Sequence, residues 1–290
     1  MSVGKEIRSK IKSVQNTQKI TRAMQMVATS KMRKTQEKMR SARPYAENIR
    51  RVIANIAHLG LYSRNNTSFL RKPSKIKKVG IILITADKGL CGGLNSNALK
   101  VYFEKVKQLQ QEEINFEVCA IGHKGLNAAN RNGHNITASA VSLGDTPKME
   151  KLVGPLSGIL NKFYNEEIDA VYVVYSKFIN TMKQESICEQ LLPLTENEFK
   201  IDSNKIIDYI YEPDPTLILE GLVKRYIESV IFQCLADNMA SEQASRMMAM
   251  KSATDNAGSA INSLKLAYNK SRQASITKEL AEIVSGSSAV

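Results

Sequence analysis

The 290-residue chain contains no tryptophan, and Phe and Tyr together supply only 6% of it. Its four cysteines, Cys91, Cys119, Cys188 and Cys234, are isolated, with no C-x-x-C pair. They read as reduced thiols rather than a zinc site or a disulfide framework. Apolar runs are short: the longest, near Ile81–Ile84 and Val171–Tyr175, are far below bilayer length. No apolar core follows the charges of Met-Ser-Val-Gly-Lys-Glu-Ile-Arg-Ser-Lys, so no signal peptide is expected. Glycine is absent between Gly4 and Gly60, Pro44 is the sole proline before that point, and no proline follows Pro215. The two ends therefore read as long helices, and the Gly- and Pro-rich stretch between 60 and 215 as a turn-rich domain.

Overall composition is that of a globular chain, 43% hydrophobic and 24% charged, which excludes a wholly disordered or collagen-like chain. The formal net charge is +13, and its distribution is uneven. Residues 1–51 carry 14 Lys/Arg against 3 Asp/Glu, whereas 213–290 carry 8 of each. A basic segment calls for an acidic partner: nucleic acid, an anionic membrane surface or an acidic protein face.

The N-terminal segment has a 3-4 spacing of small and apolar residues. Ile7, Ile11 and Val14 begin it, and Ala28, Met32, Met39, Ala42, Ala46, Ile49, Ile53 and Ile56 continue it. Gln18, Thr21 and Gln25 occupy the same seam, which predicts a looser contact there. Pro44 is expected to bend the helix. Met247, Met250, Thr254, Ala257, Ile261, Leu264 and Tyr268 repeat the spacing near the C-terminus. Such a repeat belongs to a helix wound on another helix. With Asp214-Pro215 as its start, the second helix runs to Ser285, about 105 Å at 1.5 Å per residue. Its natural partner is the first helix, antiparallel to it.

Between them, strands are expected at Val79–Thr85, Phe116–Ile121, Asn135–Val141 and Ala170–Tyr175, with helices at Ala98–Gln110 and Met149–Tyr164. Alternation of apolar strands with helices implies an open, mostly parallel sheet. The expected fold class is thus α/β plus a long antiparallel two-helix coiled coil, with a central Rossmann-like sheet. Its divisions are a coiled-coil helix over 1–60, an α/β domain over 75–205, and a second coiled-coil helix over 210–290 that pairs with 1–60.

Signals for chemistry are weak. The loop Asp87-Lys-Gly-Leu-Cys-Gly-Gly-Leu-Asn95 sits between a strand and a helix, where phosphate could bind. It lacks both G-x-G-x-x-G and the G-K-[ST] ending, and reads as a tight turn whose glycines permit positive φ. His58, His123 and His134 have no companions at metal-ligand spacing, and no G-x-S-x-G elbow occurs. Catalytic, cofactor-binding and metal sites are all expected to be absent. From these features alone a coiled-coil scaffold or nucleic-acid binder leads, with a nucleotide-binding α/β enzyme behind it. The lack of aromatics among the basic residues counts against nucleic acid, which leaves an acidic protein groove as the better partner.

Four stretches carry a resemblance. Lys5-Glu-Ile-Arg-Ser-Lys-Ile-Lys-Ser-Val-Gln-Asn-Thr-Gln-Lys-Ile-Thr-Arg-Ala-Met-Gln-Met-Val27 and the loop 87–95 are similar to the gamma subunit family of F-type ATP synthases, in its bacterial form. The C-terminal runs Ser241-Glu-Gln-Ala-Ser-Arg-Met-Met-Ala-Met-Lys-Ser-Ala-Thr-Asp-Asn-Ala-Gly258 and Tyr268–Gly286 resemble it most specifically. Ile276, Thr277, Glu279, Glu282 and Gly286 fit the family's tail pattern, with Ser287 where Ala is usual.

The resemblance implies a non-catalytic rotor shaft that couples proton flow to ATP synthesis or hydrolysis in the beta subunits. It implies alpha, beta and epsilon subunits and a c-subunit ring as partners in a hetero-oligomer, with no nucleic acid and no cofactor. It places the chain peripherally on the cytoplasmic face of the inner membrane. For contacts with the surrounding sleeve it points to Met24, Arg33, Arg246, Gln273, Thr277 and Glu279.

Overall fold

A computed structural model describes residues 2–58, 73, 75–144, 150–194 and 215–287. Met149 and Asp214 lie outside them, as do the side chains of Met39, Ala42, Ala46, Ile56 and His58. Two helices dominate: α1 (Ser2–His58) and α5 (Pro215–Ser287). At 73 residues, α5 is about 110 Å long. It opens on Pro215, whose missing N–H costs nothing in a first turn. α1 continues through Pro44.

The elements between them are β1 (Lys78–Ile84), α2 (Leu94–Gln111), β2 (Asn115–Ile121), α3 (His123–Arg131), β3 (Ile136–Ala140), α4 (Glu150–Tyr164), β4 (Ala170–Phe178) and β5 (Gln184–Leu192). The sheet has the order β3-β2-β1-β4-β5. Its first four strands are parallel, and β5 returns antiparallel to β4. The expected strands and helices all form. The sequence reading omits α3 and β5.

The chain divides into two compact units, Met1–Thr29 with Arg246–Val290, and Ser30–Ser245. In the second unit the strands are sorted by their two-residue period. Ile82, Ile84, Cys119, Ile121, Val171 and Val173 face one core, with Leu152, Leu156, Ile159 and Phe163 of α4. Val79, Ile81, Leu83, Val118, Ala120 and Val174 face the other, with Tyr102, Val106 and Leu109 of α2 and Ala129 of α3. Each fully buried aliphatic side chain of this kind contributes about 1.5–3 kcal/mol. The α4 core also contains Ile49, Ile53 and Ala54 of α1 and Val223, Ile227 and Ile231 of α5. Both long helices thus help to build the α/β unit.

The first unit is an antiparallel helix pair. Arg8 Nη2 donates to the Tyr268 hydroxyl at 2.6 Å, and the Arg8 guanidinium carbon lies 5.4 Å from that ring's centre. Further along, Gln18 Nε2 donates to the Thr254 carbonyl at 3.3 Å. Position rises on α1 as it falls on α5, as the sequence reading expects. Ile7, Ile11, Val14, Gln18 and Gln25 are half-buried, and Thr21, Ala28, Met250, Ala257 and Ile261 are buried. These are the residues of the 3-4 seam.

Candidate functional site

Open parallel sheets bind ligands where strand order reverses, outside the carboxyl ends of the strands. Here β1 has β2 on one side and β4 on the other, so the reversal lies between β1 and β4. Pairing of these two strands stops at Leu83↔Val174, whereas β4 continues to Phe178. The backbone groups of Ser176 therefore need partners from elsewhere.

α5 provides them. The Ser176 N–H donates to Asn238 Oδ1 at 3.2 Å, and Ser241 Oγ donates to the Ser176 carbonyl at 2.9 Å. One turn further on, Ser245 Oγ donates to the Cys91 carbonyl at 2.8 Å, in the loop after β1. Spacings of three and four residues place Asn238, Ser241 and Ser245 on one helix face. Asn238, Ser241 and Ser176 are all within 1% of full burial. Ala236, Ala240 and Ala244 are buried beside them, and residues this small let the helix backbone come close. The crevice is occupied by the chain's own helix.

The loop 87–95 is tied to the end of β1 and the start of α3. Asn95 Oδ1 accepts from the Ala86 N–H at 3.0 Å, and Asp87 Oδ1 accepts from the His123 N–H at 3.1 Å. Gly92 adopts φ 58°, as a tight turn requires, and exposed Leu90 shares that region at φ 61°. Below the crevice, the Tyr175 hydroxyl donates to Glu189 Oε2 at 3.1 Å. Burial first, and then the charges around it, push the Tyr175 hydroxyl far above its ordinary range. Burial likewise pushes the Cys234 thiol up to about 12, which leaves it protonated and unreactive. Among the described residues no group of three or more His, Cys, Asp or Glu side chains could hold a metal ion, and no helix is long and apolar enough to cross a membrane.

The six residues expected at the sleeve are dispersed along the two helices. Gln273 and Thr277 share a face one turn apart, with Thr277 Oγ1 donating to the Gln273 carbonyl at 3.0 Å. Glu279 is exposed and points elsewhere, since six residues rotate the helix by about 240°. Met24 is half-buried within the seam, and Arg246 is half-buried. Arg33, in the other compact unit, is exposed and pairs with Glu37 at 3.3 Å. From Arg272 to Ser285 every side chain is exposed, including Ile276, Leu280, Ile283 and Val284. Ser241 and Ser245 fall within the stretch 241–258 that carries the resemblance, but nothing local in the sequence separates them, or Asn238, from ordinary helix polars.

The chain matches the ATP synthase family over residues 4–290. It is 59% identical to the ATP synthase gamma chain of Chromobacterium violaceum and 56% identical to that of Neisseria meningitidis serogroup A, in both cases across all of each chain. Among solved structures, it is similar to a chain of the central stalk and c-ring of the Tetrahymena thermophila mitochondrial ATP synthase. The identity is 26% and the TM-score 0.60, over 81% of this chain and 99% of that one. A chain of the Euglena gracilis mitochondrial ATP synthase, 17% identical over 99% of this chain and 94% of that one, shares the fold with a TM-score of 0.62.

Proposed function

The chain belongs to the gamma-subunit family of F-type ATP synthases, and on that premise we propose how it works as the central rotor shaft. It is a non-catalytic subunit; the chemistry belongs to the beta subunits. Its partners are the alpha and beta subunits of the catalytic head, the epsilon subunit and the c-subunit ring. The observation that carries the reading is the antiparallel seam, Arg8 against Tyr268 and Thr21 against Thr254, in a chain similar over its full length to gamma chains. Two helices joined by buried apolar residues and by hydrogen bonds resist shear along the seam, so the pair turns as one body.

The exposed last turns of α5, with Ile276, Leu280, Ile283 and Val284 on their surface, suit enclosure by a sleeve. Gln273, Thr277 and Glu279 offer it polar contacts on two faces, and Met24, Arg33 and Arg246 offer others. The excess positive charge of residues 1–51 favours acidic surfaces on the head as the shaft changes register against them. The assembled complex places the chain peripherally on the cytoplasmic face of the bacterial inner membrane.

A reversible cross-link tests this reading. Asn262 is exposed on the pair while Ala257 is buried in its seam, so Asn262→Cys is the position to tie to a catalytic subunit by a disulfide. Multi-site ATP turnover should stop, return on reduction, and leave single-site nucleotide binding intact. Full turnover by a completely linked complex would reject rotation of this segment.

A further inference from the structure

We propose that Asn238, Ser241 and Ser245 are the rotational key that locks α5 to the sheet, so that torque on the α/β unit passes into the shaft. The inference rests on the rotor reading above and adds to it the place where twist is transferred. From Cys234 to Ala244 every side chain of α5 is buried except those of Met239 and Glu242, which are half-buried. Enclosure by apolar side chains resists sideways displacement of a helix. Interdigitated side chains also oppose rotation about the helix axis, but the apolar driving force has no direction of its own and sets no sharp angle. Directional bonds are what define an angle.

Three such bonds are present, and they reach two different segments, the last part of β4 and the loop after β1. Asn238 and Ser241 hold both backbone groups of Ser176 on β4, and Ser245 holds the Cys91 carbonyl beyond β1. Turning α5 in its socket breaks all three together. It also leaves the Ser176 N–H and C=O buried without partners, which multiplies the penalty. The alternative partner is missing because β1 ends at this level while β4 runs on. Ser176 Oγ is itself engaged by Ser186 at 3.2 Å on β5, which ties the keyed residue into the antiparallel edge. A binding crevice has thus become a keyway.

The test uses the whole complex in inverted membrane vesicles. ATP hydrolysis and ATP-driven proton uptake are measured together against an increasing opposing proton gradient. With Asn238→Ala, Ser241→Ala and Ser245→Ala combined, hydrolysis should remain within about twofold of the parent. Protons pumped per ATP should fall several-fold at the steepest gradient, and the Ser176 amide should exchange with deuterium faster. General destabilisation lowers hydrolysis and pumping together and leaves their ratio unchanged. If the triple variant does not assemble, Ser241→Ala alone removes one bond and one oxygen atom, and should lower the ratio by a smaller amount. An unchanged ratio in the variant that assembles, with faster Ser176 exchange, overturns the key. Failure of the parent chain to support pumping would instead remove the rotor reading beneath it.

Discussion

Thr21 and Thr254 face one another across the antiparallel pair with their hydroxyl oxygens 2.7 Å apart. Each also lies within bonding distance of a carbonyl of its own helix, Thr21 with Gln18 at 3.0 Å and Thr254 with Met250 at 2.8 Å. A hydroxyl has one hydrogen, so one threonine donates across the seam and the other donates back into its helix. Thr21→Val or Thr254→Val alone should destabilise the pair by about 0.5–1.5 kcal/mol. The double variant should cost less than the sum, because no hydroxyl is left without its partner. Thermal unfolding of the chain, followed by helical circular dichroism, measures the cycle. Strict additivity would mean the contact contributes nothing.

Glu117 gives acid sensitivity to the α/β unit. Burial raises the pKa of its carboxyl, but hydrogen bonds from Lys162, Lys78 and Thr137, with the charge of Lys78, outweigh burial and hold it at about 2. The contacts are 2.6 Å to Lys78, 2.5 Å to Lys162 and 2.7 Å to Thr137. A folded-state value below the ordinary one means the stabilisation is complete above about pH 4.5 and is lost as pH falls towards 2. Glu117→Gln should flatten the stability profile through that window. It should also cost about 3 kcal/mol at neutral pH, since two lysines lose their partner. Denaturant titrations at several pH values decide the point.

Gly122 is required by geometry. It has φ 96°, and a Cβ there would lie 2.2 Å from the Thr85 carbonyl oxygen, which is backbone and cannot swing away. Gly133, at φ 67°, has open space around it. Gly133→Ala should cost about 1 kcal/mol for its backbone conformation alone. Gly122→Ala should cost several times more, and equal melting temperatures for the two variants would contradict the difference.

The filled crevice also bears on ligands. Titration of the full chain with ATP or ADP should give no saturable heat at micromolar concentration, because α5 occupies the place where phosphates would sit. A stoichiometric heat would require α5 to leave its socket.

Much of the architecture is legible in the residues. Periodicity marks the seam from Ile7 to Ala28 and from Met250 to Tyr268, and Pro215 marks the start of α5, whereas the same spacing at Ile49 and Ile53, read as seam, belongs to the α4 core of the other unit. β1, β2 and β4 are visible as apolar runs because both their faces are covered. β5 is not, because it is an edge strand: Gln184, Glu185, Glu189 and Gln190 interrupt any apolar pattern. α3 is hidden for a different reason. Its sequence HKGLNAANR has few apolar residues, and Gly125, normally a helix breaker, is there because a Cβ would crowd Leu83 and Thr85. The residues proposed for the sleeve, such as Gln273 and Glu279, are pointed to only by family likeness, since an exposed polar residue has no signature until its partner is present. The three key residues are invisible for a related reason. Their significance lies in Ser176 on β4 and in Cys91 of the loop after β1, both more than sixty residues away in the chain.

That distance in sequence has a temporal side. Thr254 follows Thr21 by 233 residues, so a ribosome adding about 5–20 residues per second finishes the second half of the seam roughly 10–50 s after the first. For that interval α1 exists without α5, its 3-4 stripe open to other newly made chains. Like charges repel, and the strongly cationic first fifty residues keep nascent copies apart. The charge proposed to favour acidic surfaces on the head thus also acts during synthesis, by repelling copies of the lone helix.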